Sequence, residues 1–326
     1  MSQGENAVER AGASGPSALT EIDEGMAFFG GRLVPLGEAT VSIATHALHY
    51  GTGCFEGIRA YWSAPQQELF LLRAADHFRR FEASCRMIRI ACPYSVDEFL
   101  QHTRDLLRAG EFHRDVYIRP LAFKASRVIK VGLGDLRDEV AILAVPMGNY
   151  VDVSGLKVMV SAWERVSDNA MPARSKLTGS YVNIALAVDD ARRKGYDEAL
   201  LMGSDGHLSE GSGANVFVVR GGRLLTPSVT DDILEGITRE MVMQLADDAG
   251  LTVVERSIDR SELYVADEVF LTGTGAQIAP VVDVDGYRIG SGRMGPITAR
   301  LQAAFFRAVR GEDRRYADWL TPVWGR

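Results

Sequence analysis

The spacing of apolar residues changes repeatedly along this chain, and each change marks an element. Ala27-Phe-Phe-Gly-Gly-Arg-Leu-Val-Pro35 reads as a hairpin turning at Gly30-Gly31, and residues 68–72 read as a strand. Phe78, Phe81, Cys85 and Ile88 recur at helical spacing, which predicts a helix capped by Asp76. Ser95-Val-Asp-Glu98 has the form of a capping box and opens a second helix running to about Gly110. Residues 116–123 and 140–145 read as strands. Further strands are predicted at 157–163, 199–202, 216–219, 253–255 and 269–272. Helices are predicted from Ser180 to Lys194 with Gly195 as the stop, from Gly236 to Ala249 with Gly250 as the stop, and from Ile297 to Val309. Strands and helices do not alternate regularly, so the pattern argues for an α+β fold and against a doubly wound sheet. The first 20 residues, rich in Gly, Ser and Ala, read as a disordered tail. The Pro146/Gly148 break suggests a small domain over 21–148, a linker at 149–152 and a large domain over 153–326.

Composition narrows the function classes. A chain of 326 residues with 46% apolar and 24% charged content has room for two cores and suits a globular protein. A net charge of −7 argues against nucleic acid or an anionic membrane as partner. No apolar run approaches the roughly 20 residues that span a bilayer, and the N-terminus lacks a signal-peptide core. Cys54, Cys85 and Cys92 lack metal-ligand spacing and the histidines form no HExxH, so no metal site is expected and a reducing cytoplasm fits. No GxGxxG follows an early strand, and no GxxxxGK followed by Ser or Thr occurs, which disfavours nucleotide-binding folds.

Candidate chemistry starts from the lysines, of which there are only five: Lys124, Lys130, Lys157, Lys176 and Lys194. Arginine cannot form an imine, so covalent amine chemistry must use one of these. Lys194 ends a predicted helix, where a cation suits the dipole. Lys157 reads as a strand-edge charge, and Lys124 and Lys130 flank a polar loop. Lys176 lies in Met171-Pro-Ala-Arg-Ser-Lys-Leu-Thr-Gly-Ser-Tyr181, between an irregular segment and a helix. Alone it would pass for a solvated loop lysine. Glu210 sits in the small-residue loop Ser209-Glu-Gly-Ser-Gly-Ala-Asn215, where a turn glutamate is the plain reading. Leu234-Glu-Gly-Ile-Thr238 runs into a helix, whose free N–H groups form either an ordinary cap or an anion site. Leu271-Thr-Gly-Thr-Gly-Ala276 offers more N–H groups, and Arg80 a charge on the polar side of its helix. An imine lysine, a carboxylate for a ring nitrogen, and a helix start with an arginine for a phosphate together describe a pyridoxal 5'-phosphate site.

In these phrases the sequence resembles the branched-chain amino acid aminotransferases, members of the class IV, fold type IV group of pyridoxal-phosphate enzymes. The resemblance runs from about Phe28 to Val323. It is carried also by His49-Tyr-Gly-Thr-Gly-Cys-Phe-Glu-Gly-Ile-Arg59, Tyr117-Ile-Arg-Pro-Leu121, Gly236-Ile-Thr-Arg239 and Ala266-Asp-Glu-Val-Phe-Leu-Thr-Gly-Thr274. It implies a small N-terminal α/β domain and a larger cofactor-binding domain with a barrel-like sheet. It implies Lys176 as the catalytic residue attached to the cofactor, Glu210 on the pyridine nitrogen and Tyr181 on the phenolic oxygen. Arg80, Gly236, Ile237, Thr238, Gly273 and Thr274 would hold the rest of the cofactor, chiefly its phosphate. For substrate it implies Tyr117 and the Thr274-Gly275 turn at the α-carboxylate, Arg119 at the second carboxylate of glutamate, and Phe55, Gly57 and Tyr50 as the wall. Tyr50 is expected to reach in from a neighbouring subunit of a homodimer or a hexamer.

The implied reaction is amino transfer between L-leucine, L-isoleucine or L-valine and 2-oxoglutarate. The same fold also carries D-amino acid and (R)-amine transaminases and pathway-specific relatives, and a cofactor binder without turnover is the reading outside enzymes. The chain departs from the family in Thr178-Gly-Ser-Tyr181 after the lysine, in the loop 124–134, and in Met147 where some relatives carry tryptophan.

Overall fold

A computed structural model describes Ile22, residues 24–148 and residues 155–325. The expected tail and the expected linker at 149–152 lie outside the described residues.

The first half of the chain builds one antiparallel sheet. Its strands are β1 (Met26–Phe29), β2 (Arg32–Pro35), β3 (Gly53–Phe55), β4 (Ile58–Ser63), β5 (Glu68–Leu72), β6 (Val116–Lys124) and β7 (Asp138–Pro146). The path through it is β5-β4-β6-β7-β1-β2, with β3 added against β6. A short helix, α1 (His46–Tyr50), precedes β3, while α2 (Ala74–Met87) and α3 (Val96–Ala109) cover one face. Phe78 stacks on Phe99 at 4.9 Å and Phe81 meets Phe99 edge-on at 5.5 Å, so the helical spacing of the apolar residues becomes one buried cluster. The capping box at Ser95 and Glu98 forms in full. Asp76 does not cap α2: the helix starts earlier, behind Arg73, and Asp76 sits in its first turn paired to the Arg73 guanidinium. A carboxylate there still complements the positive end of the helix.

The second half builds a mixed sheet from β8 (Leu156–Val160), β9 (Glu198–Met202), β10 (Leu208–Gly211), β11 (Asn215–Arg220), β12 (Arg223–Thr226), β13 (Val253–Glu255), β14 (Glu268–Gly273), β15 (Gln277–Val284) and β16 (Tyr287–Arg288). Its order is β10-β9-β8-β15-β14-β11-β12-β13, with β8 parallel to both neighbours. The helices are α4 (Tyr181–Arg193), α5 (Ile237–Asp248), α6 (Arg260–Tyr264) and α7 (Pro296–Val309). Strand β11 shows why its sequence is continuously apolar. Phe217 and Val219 enter a core with α5 and α7, and Val216 and Val218 enter another on the opposite face. A final strand, β17 (Leu320–Pro322), pairs with β5, so the end of the chain returns to the first sheet. Tyr61 and Leu72 share a core with Phe217 and Phe305, which ties the two sheets together. The α+β expectation holds. No helix among the described residues is long and apolar enough to cross a membrane.

Several local expectations are corrected. The strand expected over 157–163 stops at Val160, because Ser161 Oγ accepts the Trp163 N–H and turns the chain away. The stretch with glycines at 51, 53 and 57 also forms two strands that were not expected, β3 and β4. Lys124 does flank the loop between β6 and β7, but it is 2% exposed and pairs with Asp138 at 2.8 Å.

Candidate active site

A cavity of about 230 Å³ is lined from both sheets. All but one of the expected site residues line it; the exception is Tyr50, whose ring packs beside His46 on α1.

Lys176 is placed by its backbone. Its carbonyl accepts the Phe55 N–H at 3.0 Å, its own N–H donates to Ser84 Oγ at 3.3 Å, and Leu177 bridges to Cys54. The lysine loop is therefore stitched to β3 on one side and α2 on the other. Thr178 Oγ1 adds contacts to the carbonyls of Gly51 and Gly53 at 2.9 and 3.0 Å, and Ser180 Oγ donates to Leu177 O at 2.8 Å. The residues that depart from the family's usual phrase thus fasten the loop. Close approach explains the glycines: a Cβ at Gly51, where φ is +62°, would come within 2.9 Å of Gly179 Cα. The Lys176 amine has no acceptor among the described residues and lies 5.2 Å from the Phe55 ring centroid and 5.5 Å from that of Tyr181.

Glu210 lies opposite. It is on strand β10 and not in a loop; a register shift between Leu208 and Glu210 turns it inward. The residue is 6% exposed. Its Oε2 accepts from Asn215 Nδ2 and from the Leu234 N–H, both at 3.1 Å. Arg165 Nε approaches Oε1 at 3.0 Å, but that N–H is not aligned for a hydrogen bond, so the contact is ionic. Burial pushes the Glu210 carboxyl up, and Arg165 and the Leu234 N–H draw it only part of the way back. A cationic ring N–H placed against it would complete the compensation. Arg165 did not stand out in the sequence, since it is distant from Glu210 along the chain and lacks a motif of its own, and Asn215, although it closes the same phrase as Glu210, was given no role there.

One end of the cavity is built by α5. Gly236 is its N-cap residue, and no side chain caps the helix. Asn215 Oδ1 would lie 1.9 Å from a Cβ on Gly236, so only glycine allows that approach. The N–H groups of Ile237 and Thr238 are left to face the cavity together with the Gly273-Thr274 turn. Arg80 reaches the same end. Its side chain is 14% exposed and not the solvated charge its position beside Arg79 suggested. It donates to Glu235 O at 2.7 Å and pairs with Glu56.

The remaining wall is aromatic and cationic. Tyr117 and Arg119 alternate on β6 and face the cavity. Arg119 donates to the Tyr117 hydroxyl at 2.9 Å, and its guanidinium lies 4.4 Å over the Phe55 ring. No carboxylate pairs with Arg119 among the described residues. A Cβ on Gly57 would come within 2.3 Å of the Tyr117 hydroxyl, so this glycine makes room for the phenol.

A model of the family described as amino-transferase class IV matches residues 53–284. The chain belongs to the class IV aminotransferases. The matched stretch begins at β3 and ends with β15, so it contains the whole cavity lining from Phe55 to Gly275. This class IV chain is 47% identical over 310 residues to the probable branched-chain-amino-acid aminotransferase of Aquifex aeolicus, covering 94% of this chain and 100% of the relative. It is 40% identical over 305 residues to the branched-chain-amino-acid aminotransferase of Escherichia coli strain K12, covering 91% and 96%. Among solved structures, the branched-chain aminotransferase of Thermoproteus uzoniensis with norvaline superposes with a TM-score of 0.89 at 42% identity, over 92% of this chain and 99% of that one. The branched-chain amino acid aminotransferase of Thermobaculum terrenum in its PLP-form also gives 0.89, at 39% identity over 93% and 99%.

Proposed function

We propose that this chain is a transaminase that moves the amino group between L-branched-chain amino acids and 2-oxoglutarate with pyridoxal 5'-phosphate. One observation carries the reading. A single cavity combines an amine without an acid partner, a buried carboxylate opposite it, a helix start beside an arginine, and a second cation set on an aromatic wall.

The donor set fits the cofactor. Lys176 would hold its aldehyde carbon, Glu210 its ring N–H, Tyr181 its phenolic oxygen, and the Ile237, Thr238 and Thr274 groups with Arg80 its phosphate. When bound, the cofactor supplies an electron sink for the charge left at the substrate α-carbon. Lys176 Nζ, set free when the amino donor displaces it, would carry the proton between the substrate α-carbon and the cofactor's former aldehyde carbon, and in the opposite direction in the second half-reaction. Glu210 keeps a proton on the ring nitrogen, a task suited to a carboxylate fixed by Asn215 and the Leu234 N–H. The Tyr117 hydroxyl and the Thr274-Gly275 turn hold the α-carboxylate. Arg119 accepts the second carboxylate of glutamate or 2-oxoglutarate, and the Phe55 face takes a branched side chain when no such carboxylate is present. The geometry thus offers two kinds of side chain one site, as amino transfer between leucine and glutamate requires.

The chain acts at least as a homodimer in this proposal, and in the cytoplasm. Ile43, Leu48, Ile129 and Val131 are 62–88% exposed and lie on segments tied by the Thr45–Arg127 bridge. An apolar patch of this kind suits a subunit contact. Tyr50 ends the same short helix and would serve the partner's cavity. The test is spectroscopic. Purified protein should be yellow, lose its visible band with L-leucine and regain it with 2-oxoglutarate. A response to D-alanine or an (R)-amine in place of L-leucine would assign it to the other stereochemical class. Colour that no amino donor alters would make it a cofactor binder.

A further inference from the structure

Glu56 is a fully buried charge beside the site, and the reaction as described gives it no task. It sits between β3 and β4, and its side chain is 0% exposed. Isolated carboxylates are not buried without compensation. Here both oxygens are matched. Arg80 Nε donates to Oε1 at 2.6 Å and Arg80 Nη2 to Oε2 at 2.8 Å; His77 Nδ1 lies 2.8 Å from Oε2. Burial alone would raise the Glu56 carboxyl, but Arg80 and His77 outweigh it and hold it well below the usual carboxylate range. Burial also depresses His77, so the neutral ring donates from Nδ1 to the carboxylate. His77 and Arg80 are one turn apart on α2 and therefore present both donors from one face.

The donor count on Arg80 shows what this arrangement does. A guanidinium carries five N–H groups in a fixed plane. Two are taken by Glu56 and one by the carbonyl of Glu235, the residue just before the N-cap of α5. The two left over are both on terminal nitrogens of a side chain that lines the cavity. Without Glu56 only the Glu235 carbonyl would hold the guanidinium, and its plane could pivot about that single bond. With it, one edge is occupied and the orientation is set.

We infer that Glu56 is a positioning residue for phosphate: it fixes the plane of Arg80 so that the two remaining N–H groups meet the anion held by the α5 N-terminus, without touching the ligand itself. This rests on the pyridoxal-phosphate reading of the cavity. His77 backs the carboxylate from behind, where it borders a small second cavity with Arg59 and Met241.

The test separates phosphate binding from general integrity. Full-length protein, freed of cofactor, is titrated with pyridoxal 5'-phosphate and, separately, with pyridoxal, which lacks the phosphate. Glu56→Asp keeps the charge but withdraws the carboxylate by one methylene. It should weaken pyridoxal 5'-phosphate binding about tenfold while changing pyridoxal binding less than twofold. Arg80→Met should lose the same phosphate-dependent preference, and adding Glu56→Asp to it should change nothing further. Glu56→Gln, the same shape without the charge, is the second variant should the aspartate fail to fold, with the same expected ratio. Equal weakening of both ligands, or an unchanged ratio in a folded Glu56 variant alongside an impaired Arg80→Met, would overturn the inference alone. An unchanged ratio in Arg80→Met would overturn the phosphate-site reading and this inference with it.

Discussion

Replacing Arg119 with methionine isolates the dual side-chain recognition on which the substrate assignment depends. Methionine keeps much of the bulk over Phe55, where the guanidinium now lies at 4.4 Å, but removes the charge. The Tyr117 hydroxyl loses a donor at 2.9 Å, yet it faces the open cavity, so water can take that place. A hydrogen-bonded charge pair is worth about 1.5–3 kcal/mol net. Arg119 has no competing acid among the described residues, so most of that is available to a ligand. At about 1.4 kcal/mol per decade, Arg119→Met should reduce kcat/KM for L-glutamate and 2-oxoglutarate by roughly 10- to 150-fold. L-leucine has no second carboxylate, and its half-reaction should change less than about threefold, the scale of a small repacking. Single-turnover absorbance with each amino donor measures the two rates separately. Equal losses with glutamate and leucine, or no loss with glutamate, would refute the reasoning.

Three further outcomes are expected. Glu210→Gln preserves shape but removes the charge that keeps the ring nitrogen protonated; kcat should fall at least about 100-fold, as for loss of one preorganised electrostatic partner, with the cofactor still bound on gel filtration. Gly57→Ala places a methyl 2.3 Å from the Tyr117 hydroxyl, so KM should rise for every amino donor and thermal stability should drop by about 1–3 kcal/mol from overpacking. Stability should also depend on acid. Glu56 and His77 both titrate lower in the folded chain than in the unfolded one, so the unfolded state takes up protons first and stability is lost as pH falls. The urea midpoint should decline below about pH 6.5 through His77 and more steeply below about pH 4.3 through Glu56. The gap between the wild type and Glu56→Gln should narrow over that lower range, and a gap that stays constant would contradict the assignment.

What the sequence made legible follows from how local each signal is. The α3 capping box uses residues three apart and needs no tertiary partner, so Ser95 and Glu98 announce it. Asp76 looks like the same kind of signal, but a left-handed Arg73 starts α2 earlier. Strand β15 is hidden by Pro280, which reads as a breaker. The strand tolerates it because its pairing with β8 begins only at Val281, so the missing N–H falls where there is one neighbour. Strand β10 is hidden by Ser209 and Gly211, which look like part of a loop until β9 pairs with the segment. Lys176, Glu210 and the α5 start were legible as a set because cofactor chemistry demands those residue types together. Glu56, His77 and Arg165 were not, because each acts through a partner brought near only by folding. Lys124 shows the reverse error: its charge suggested solvent, while Asp138 across the strand pair compensates it indoors.

The central claim is that the Lys176 amine is the one that holds the cofactor. Reducing the yellow protein with borohydride and mapping the labelled peptides tests it directly. The label is expected on Lys176, on the peptide that also carries Tyr181. A label on Lys124, Lys130, Lys157 or Lys194, or on no lysine at all, would contradict the account.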